Sequence, residues 1–166
     1  MSGILYAATL ATALGCGLVA GVFFAFSSFV MAALRRLKPQ EGIAAMQSIN
    51  ILVLTPVFMT ALLGTAVASL ALAVWAVICW GERYAALVLG GGVLYLLGTI
   101  GVTMVCNVPL NNRLATVHPQ GADAASYWNE YVTKWTAWNH VRTVAALALL
   151  RPRSPSCSTS SASGLG

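Results

Sequence analysis

"IAAMQSINILVLTPVFMTALLGTAVASLALAVWAVICW", residues 43–80, contains a single proline and no charged side chain. As one helix rising roughly 1.5 Å per residue it would run about 57 Å, against a bilayer hydrocarbon core of ~30 Å. Pro56 is the natural break, because an interior proline removes a helical hydrogen bond and crowds the turn before it. The stretch therefore predicts an interfacial or re-entrant lead-in over residues 43–55. A membrane span follows from Pro56 to Trp80, with Trp75 and Trp80 as interface anchors.

The rest of the chain fits the same solvent. Of its 166 residues, 58% are hydrophobic and only 8% are charged, whereas soluble domains carry about 25% charged residues. A chain this short cannot hide that much apolar surface inside itself, so lipid is its solvent and the bilayer its first partner. The net charge of +5 sits in loops. It reads as topology information and excludes nucleic acid as a partner class. Cys16, Cys79, Cys106 and Cys157 stand at no metal or redox spacing and read as inert thiols.

Three further apolar runs complete the pattern. Ile4 to Leu34 is too long for a signal core and has no positive charge before it, so it is expected to remain as the first span. A tight turn, "GER" (81–83), leads into a third span over about Tyr84 to Cys106, expected to fray in "NVPLNNR" (107–113) at Pro109. The fourth helix enters near Trp135 and ends at Leu150. The expected fold is all-α, a four-helix transmembrane bundle (1–150) with the interfacial lead-in before helix 2. Residues 151–166, "RPRSPSCSTSSASGLG", are expected to be a disordered tail. The tail limits the last span to about 16 residues, roughly 24 Å, which suggests an altered C-terminal end. A stripe of Ala13, Gly17, Gly21 and Ala25 in the first helix is expected to allow close packing.

Four spans put the loops at 35–42 and 113–134 on one side, with Arg35, Arg36, Lys38, Arg113 and Lys134. Arg83, Arg151 and Arg153 fall on the other, so the first side is expected to be cytoplasmic. Ser27, Ser28, Gln47, Asn50, Thr103, Asn107 and Asn111 all collect in that leaflet, and the opposite one reads as almost purely apolar. Such clustering predicts a shared polar cavity or, equally, ordinary interhelical hydrogen bonds.

The fourth helix holds the chemistry. In "WNEYVTKWTAWNHVRT" (128–143), Trp128, Tyr131, Trp135, Trp138, Asn139 and Arg142 fall in a sector about 100° wide, with His140 nearly opposite. An interface belt accounts for Trp128 and Tyr131 but not for Asn139 and Arg142, which lie deeper. An arginine at that depth costs about 2.5 kcal/mol or more. No acidic residue occupies a span, so Arg142 must use neutral acceptors such as Asn139, Asn107 and Asn50, or an anionic ligand. Thr99, Thr103, Asn107 and Asn111 form an i, i+4 stripe on the third span, with Asn107 the expected partner of Arg142. His118 and His140, without intramembrane carboxylates, make no metal or bis-histidine haem site.

"GVFFAFSSFVMAAL", "GIAAMQSINILVLTPVFM", "NVPLNNRLA" and "YWNEYVTKWTAWNHVRTVAALAL" resemble the anthrone-oxygenase-like family of small integral membrane proteins, over about residues 1–150. The tail departs from the family pattern, in which the fourth helix continues. The resemblance implies a four-helix protein of the bacterial inner membrane. From fungal relatives it implies oxidation of an anthrone by O2 with no recognised cofactor and no metal. On that reading Arg142 favours an enolate or peroxide anion, with Asn139 and Asn107 beside it as catalytic residues. Trp135, Trp138, Tyr131, Trp128 and Asn50 would then bind the planar substrate. A carrier for an anionic lipophile, or a structural subunit whose polar groups only join helices, fits the same residues. The sequence leaves enzyme or not, and oligomeric state, open.

Overall fold

The structure is a computed structural model that describes residues 3–147, all of whose regular elements are helical. Five rods follow one another: α1 (Gly3–Arg35), α2 (Pro39–Leu52), α3 (Pro56–Ile78), α4 (Ala85–Thr116) and α5 (Ala124–Leu147). The expected disordered tail and the end of the fourth span lie outside the described residues.

Three rods, α1, α3 and α4, are both long and apolar enough to cross a membrane. α5 has the length, at 24 residues, but Glu130, Lys134, Asn139, His140 and Arg142 dilute its apolar character. Burial also runs in the direction expected of a protein dissolved in lipid. Along α3 the buried set includes Thr65, Ser69, Ala73 and Ala76, while Leu63, Val67, Leu70, Val74 and Val77 are exposed. Small and weakly polar groups facing inward, with branched aliphatics outward, suit helices whose surroundings are as apolar as their cores.

Pro56 divides the long apolar run as expected. The chain leaves α2 at Leu52, Thr55 is extended (ψ 147°), and Pro56 occupies the first turn of α3, where its missing N–H needs no partner. The lead-in is a full helix and begins earlier than the hydropathy suggested, at Pro39. The Glu41 carboxylate accepts the Lys38 backbone N–H at 3.2 Å, which closes its N-terminus. The "GER" turn is present, with Glu82 N donating to Cys79 O and Ala85 N to Glu82 O.

Pro109 does not end its helix; α4 runs through it to Thr116. Immediately before it, Thr103–Asn107 forms a π-helical turn, so Pro109 falls in the first turn of a fresh α segment (Val108–Thr116). The wider turn therefore puts the proline where its missing N–H needs no helical partner. Two further π segments interrupt the rods, Phe26–Val30 in α1 and Leu94–Gly101 in α4.

α5 packs along α1 and against the π-helical part of α4, while α2 lies across α5 and the end of α4. At Gly98 the α4 and α5 backbones meet so closely that a Cβ would stand 2.4 Å from that of Ala145. Gly42 plays a similar part for α2, since a Cβ there would meet the Trp128 ring at 2.6 Å. The small-residue stripe of α1 is not a packing seam: Gly17 and Gly21 have no neighbour within 4 Å, and the buried stripe is Thr12, Cys16, Val19, Ala20 and Phe23.

Candidate functional site

Lys134 and Glu130 form an exposed ion pair at 2.6 Å, and the Lys134 hydrogen bond, with its charge, holds the Glu130 carboxyl below its usual range. Arg142 lies two turns further along α5, about 12 Å from that exposed pair, and only 5% of its surface is exposed.

Its guanidinium meets no carboxylate among the described residues. Nη2 donates to Asn139 Oδ1 at 2.7 Å and Nη1 to Thr103 Oγ1 at 3.3 Å. The guanidinium lies over the Phe23 ring (4.4 Å to the centroid) and over the Trp135 ring (5.0 Å), contacts that favour a cation. Nε is buried without a partner. A guanidinium has five N–H groups, and only two are used. This cation is held in place and left under-satisfied.

What holds it can be followed hydrogen by hydrogen. Asn139 is fully buried and donates both amide hydrogens, to Phe23 O and to Ser27 Oγ, each at 2.7 Å. Thr143 gives its hydroxyl hydrogen to Asn139 O at 2.8 Å. Ser27 must then be the donor in its 3.1 Å contact with Thr143. On α4, Thr103 gives its hydrogen to Thr99 O at 2.7 Å and so presents only lone pairs to Arg142. Asn139 has no hydrogen left for a ligand; its role is to position Arg142.

The expected pairing of Arg142 with Asn107 is not formed. Asn107 donates instead to Trp135 O at 3.3 Å, and its Oδ1 is buried without a partner. The π turns shift the i, i+4 stripe out of line, so Thr103 takes the place beside Arg142. All three π segments lie at or beside this network, as π turns at functional sites commonly do.

Arg142 lines a cavity of about 260 Å3 bounded by all five rods. Its walls are apolar, including Phe26, Met46, Phe58, Leu62 and Ile100; its polar members are Asn50, Thr103, Asn111 and Arg142, with the indole of Trp135 as one side. The lip is formed by Leu54, Leu63 and Met104, 65%, 49% and 61% exposed. The cavity thus reaches the outside of the bundle among exposed apolar side chains of α3, α4 and the connection before α3.

The remaining aromatic residues divide. Trp128 and Tyr131 are 2% and 0% exposed, stacked at 5.7 Å inside the protein rather than at an interface belt. Neither lines the cavity wall, but the Tyr131 hydroxyl donates to Asn111 Oδ1 at 2.9 Å. Trp135 Nε1 donates to the same oxygen at 2.9 Å. Trp138 is 42% exposed and turned away from the cluster. His140 is exposed, on the far side from Arg142 as the wheel required. Ser28 bonds back to Phe24 O, and Gln47 donates to Leu114 O and Val117 O, fastening α2 to the end of α4. The half of the bundle away from Arg142 is less apolar than expected: Thr12, Thr65 and Ser69 are buried there, and the Tyr95 hydroxyl donates to Leu62 O at 3.1 Å.

With this geometry in place, comparison of the sequence with known families is decisive. A family model described as anthrone oxygenase matches residues 52–150. The chain belongs to the anthrone oxygenase family. The matched region carries Thr103, Asn107, Asn111, Trp135, Asn139 and Arg142, while Phe23, Ser27 and Asn50 come from the preceding helices. No curated protein and no solved structure matches the chain. Family membership fixes a lineage of sites; the reaction must still be argued from the site itself.

Proposed function

We propose that this protein draws a flat, lipophilic carbon acid of the anthrone type from the bilayer and oxidises it with O2 without a cofactor. The observation that carries this reading is the Arg142 guanidinium, with three N–H groups unspent among the described residues, in the wall of a largely apolar cavity; we take the exposed apolar side chains at its lip as the entry from lipid. In low dielectric a fixed cation strongly favours any anion that forms against it. An anthrone that loses a ring C–H proton to water becomes an enolate whose oxygen Arg142 would receive. The enolate carbon then passes electrons to O2 and bonds to it, giving a hydroperoxide. Loss of water from that hydroperoxide leaves a second carbonyl, so one oxygen atom ends in the quinone and the other in water. Arg142 stabilises the enolate and the peroxide anion, Asn139 positions Arg142, and Trp135 stacks on the rings.

The same reading makes α5 the fourth crossing of an inner-membrane bundle. α2 would lie in the interface, and the segments at 35–42 and 113–134, largely helical, would be cytoplasmic, where Arg35, Arg36, Lys38, Arg113 and Lys134 gather. A reporter fused after Lys38 tests the sidedness; a periplasmic signal would reverse it.

Purified protein in detergent, given an anthrone in air, should form the anthraquinone faster than the spontaneous reaction, and Arg142→Gln should remove that acceleration. A wild-type protein that binds anthrone without accelerating its oxidation is a carrier, a second reading that draws on the cavity wall having no carboxylate or imidazole among the described residues. Binding and rate both unchanged in Arg142→Gln would reduce the polar network to helix packing.

A further inference from the structure

Asn111 stood in the expected polar stripe but among no expected site residues, and the structure gives it an unusual position. Its Oδ1 accepts two hydrogen bonds at 2.9 Å, from the Trp135 indole N–H and from the Tyr131 hydroxyl. An indole nitrogen can only donate, so the atom facing it must be the amide oxygen. The orientation of the carboxamide is thereby fixed. Its Nδ2 carries two hydrogens that reach no acceptor among the described residues, and Asn111 lines the cavity.

The cavity therefore has two donor poles against the Trp135 indole: Arg142 lies over the ring, 5.0 Å from its centroid, and Asn111 is bonded to its nitrogen. On α4 the residues that mark the two poles, Thr103 and Asn111, are eight positions apart, at most about 12 Å along the axis. Between them, the α4 residues that line the cavity are Met104 and Val108.

We infer that Asn111 is a specificity-determining residue that donates to a second, neutral oxygen of the ligand. The site would then select flat aromatics that carry one acidic oxygen for Arg142 and another acceptor on a ring further along the molecule. This rests on the reading of the cavity as a ligand site, though not on oxidation taking place there. A ligand without the second oxygen leaves the Nδ2 hydrogens dry, which is where a polar site discriminates most strongly.

Asn111→Asp separates this role from a packing role. The carboxylate still accepts from Trp135 and Tyr131, so the walls stay anchored, but the donor is gone. Binding is followed by tryptophan quenching under nitrogen, where no turnover occurs, using anthrone and a methoxyanthrone substituted on an end ring. Wild type should bind the methoxy compound about tenfold more tightly than anthrone, the equivalent of one lost hydrogen bond. Asn111→Asp should bind the two alike and hold anthrone within about twofold of wild type. Equal binding of both compounds by wild type, or a preference that survives in Asn111→Asp, would overturn the assignment. Asn111→Leu, which removes donor and acceptor together, should erase the methoxy preference and also weaken anthrone, because Trp135 and Tyr131 lose their shared acceptor; a methoxy preference that survives in Asn111→Leu would likewise overturn the assignment. Failure of air oxidation leaves these outcomes readable, because they concern binding alone.

Discussion

Replacing Asn139 by Asp puts a carboxylate where Arg142 now has a neutral acceptor, and the consequences for folding and for ligand binding should diverge. The oxygen concerned stands 2.7 Å from Nη2. At an effective dielectric of about 20, opposite charges roughly 4 Å apart attract by ~4 kcal/mol. Against this, Asp loses the two donations to Phe23 O and Ser27 Oγ, about 0.6 to 1 kcal/mol each, and its own desolvation costs several kcal/mol more. The two sides nearly cancel, so stability should change by no more than about 2 kcal/mol. The ligand meets a different site. An arriving enolate now faces a neutral ion pair, and most of the attraction it had from Arg142 is offset; affinity should fall about a hundredfold, or ~2.7 kcal/mol. Thermal unfolding in detergent and quenching by an anthrone, measured on the same preparation, give both quantities. Asn139→Ala is the contrast, since it removes one hydrogen bond each from Arg142, Phe23 O and Ser27 and should cost about 3 kcal/mol of stability. An Asn139→Asp protein that melts like wild type and binds the ligand like wild type would refute the idea that Arg142 is kept unpaired for an anion.

Two further outcomes follow from packing. Gly98→Ala should lower the melting temperature, because its new methyl would overlap Ala145, at a cost of about 1–3 kcal/mol; Gly21→Ala, with open space around it, should be neutral or gain slightly. Trp135→Ala should weaken ligand binding by at least about tenfold, whereas Trp138→Ala, on the exposed face, should leave it unchanged, and equal losses would mean that Trp135 is no cavity wall.

The gross design was legible because bilayer thickness and proline chemistry are strict. An apolar run nearly twice the hydrocarbon thickness had to break, and Pro56 was the only residue there able to break it. Arg142 and Asn139 stood out because an intramembrane cation with no carboxylate on any span needs an explanation, and the wheel placed them together with Trp135 on the buried face. What stayed hidden depends on turns the sequence does not announce. The π turn at Thr103–Asn107 carries α4 past Pro109 and brings Thr103, rather than Asn107, to the guanidinium. Trp138 shares the sector of Trp135 on an ideal wheel, yet only contact with α1 and α4 decides which edge of that sector is covered. Asn111 was visible as one of four stripe residues, but its locked amide requires knowing that Trp135 and Tyr131 both reach the same oxygen.

The most direct measurement is the absorbance spectrum of an anthrone bound under nitrogen, where enolate and keto forms differ in colour. Wild-type protein should show the enolate band at a pH at which free anthrone is still in the keto form, and Arg142→Gln, though folded and still binding, should show only the keto spectrum. A keto spectrum in both proteins, or an enolate band that persists without the guanidinium, would contradict the role given to Arg142.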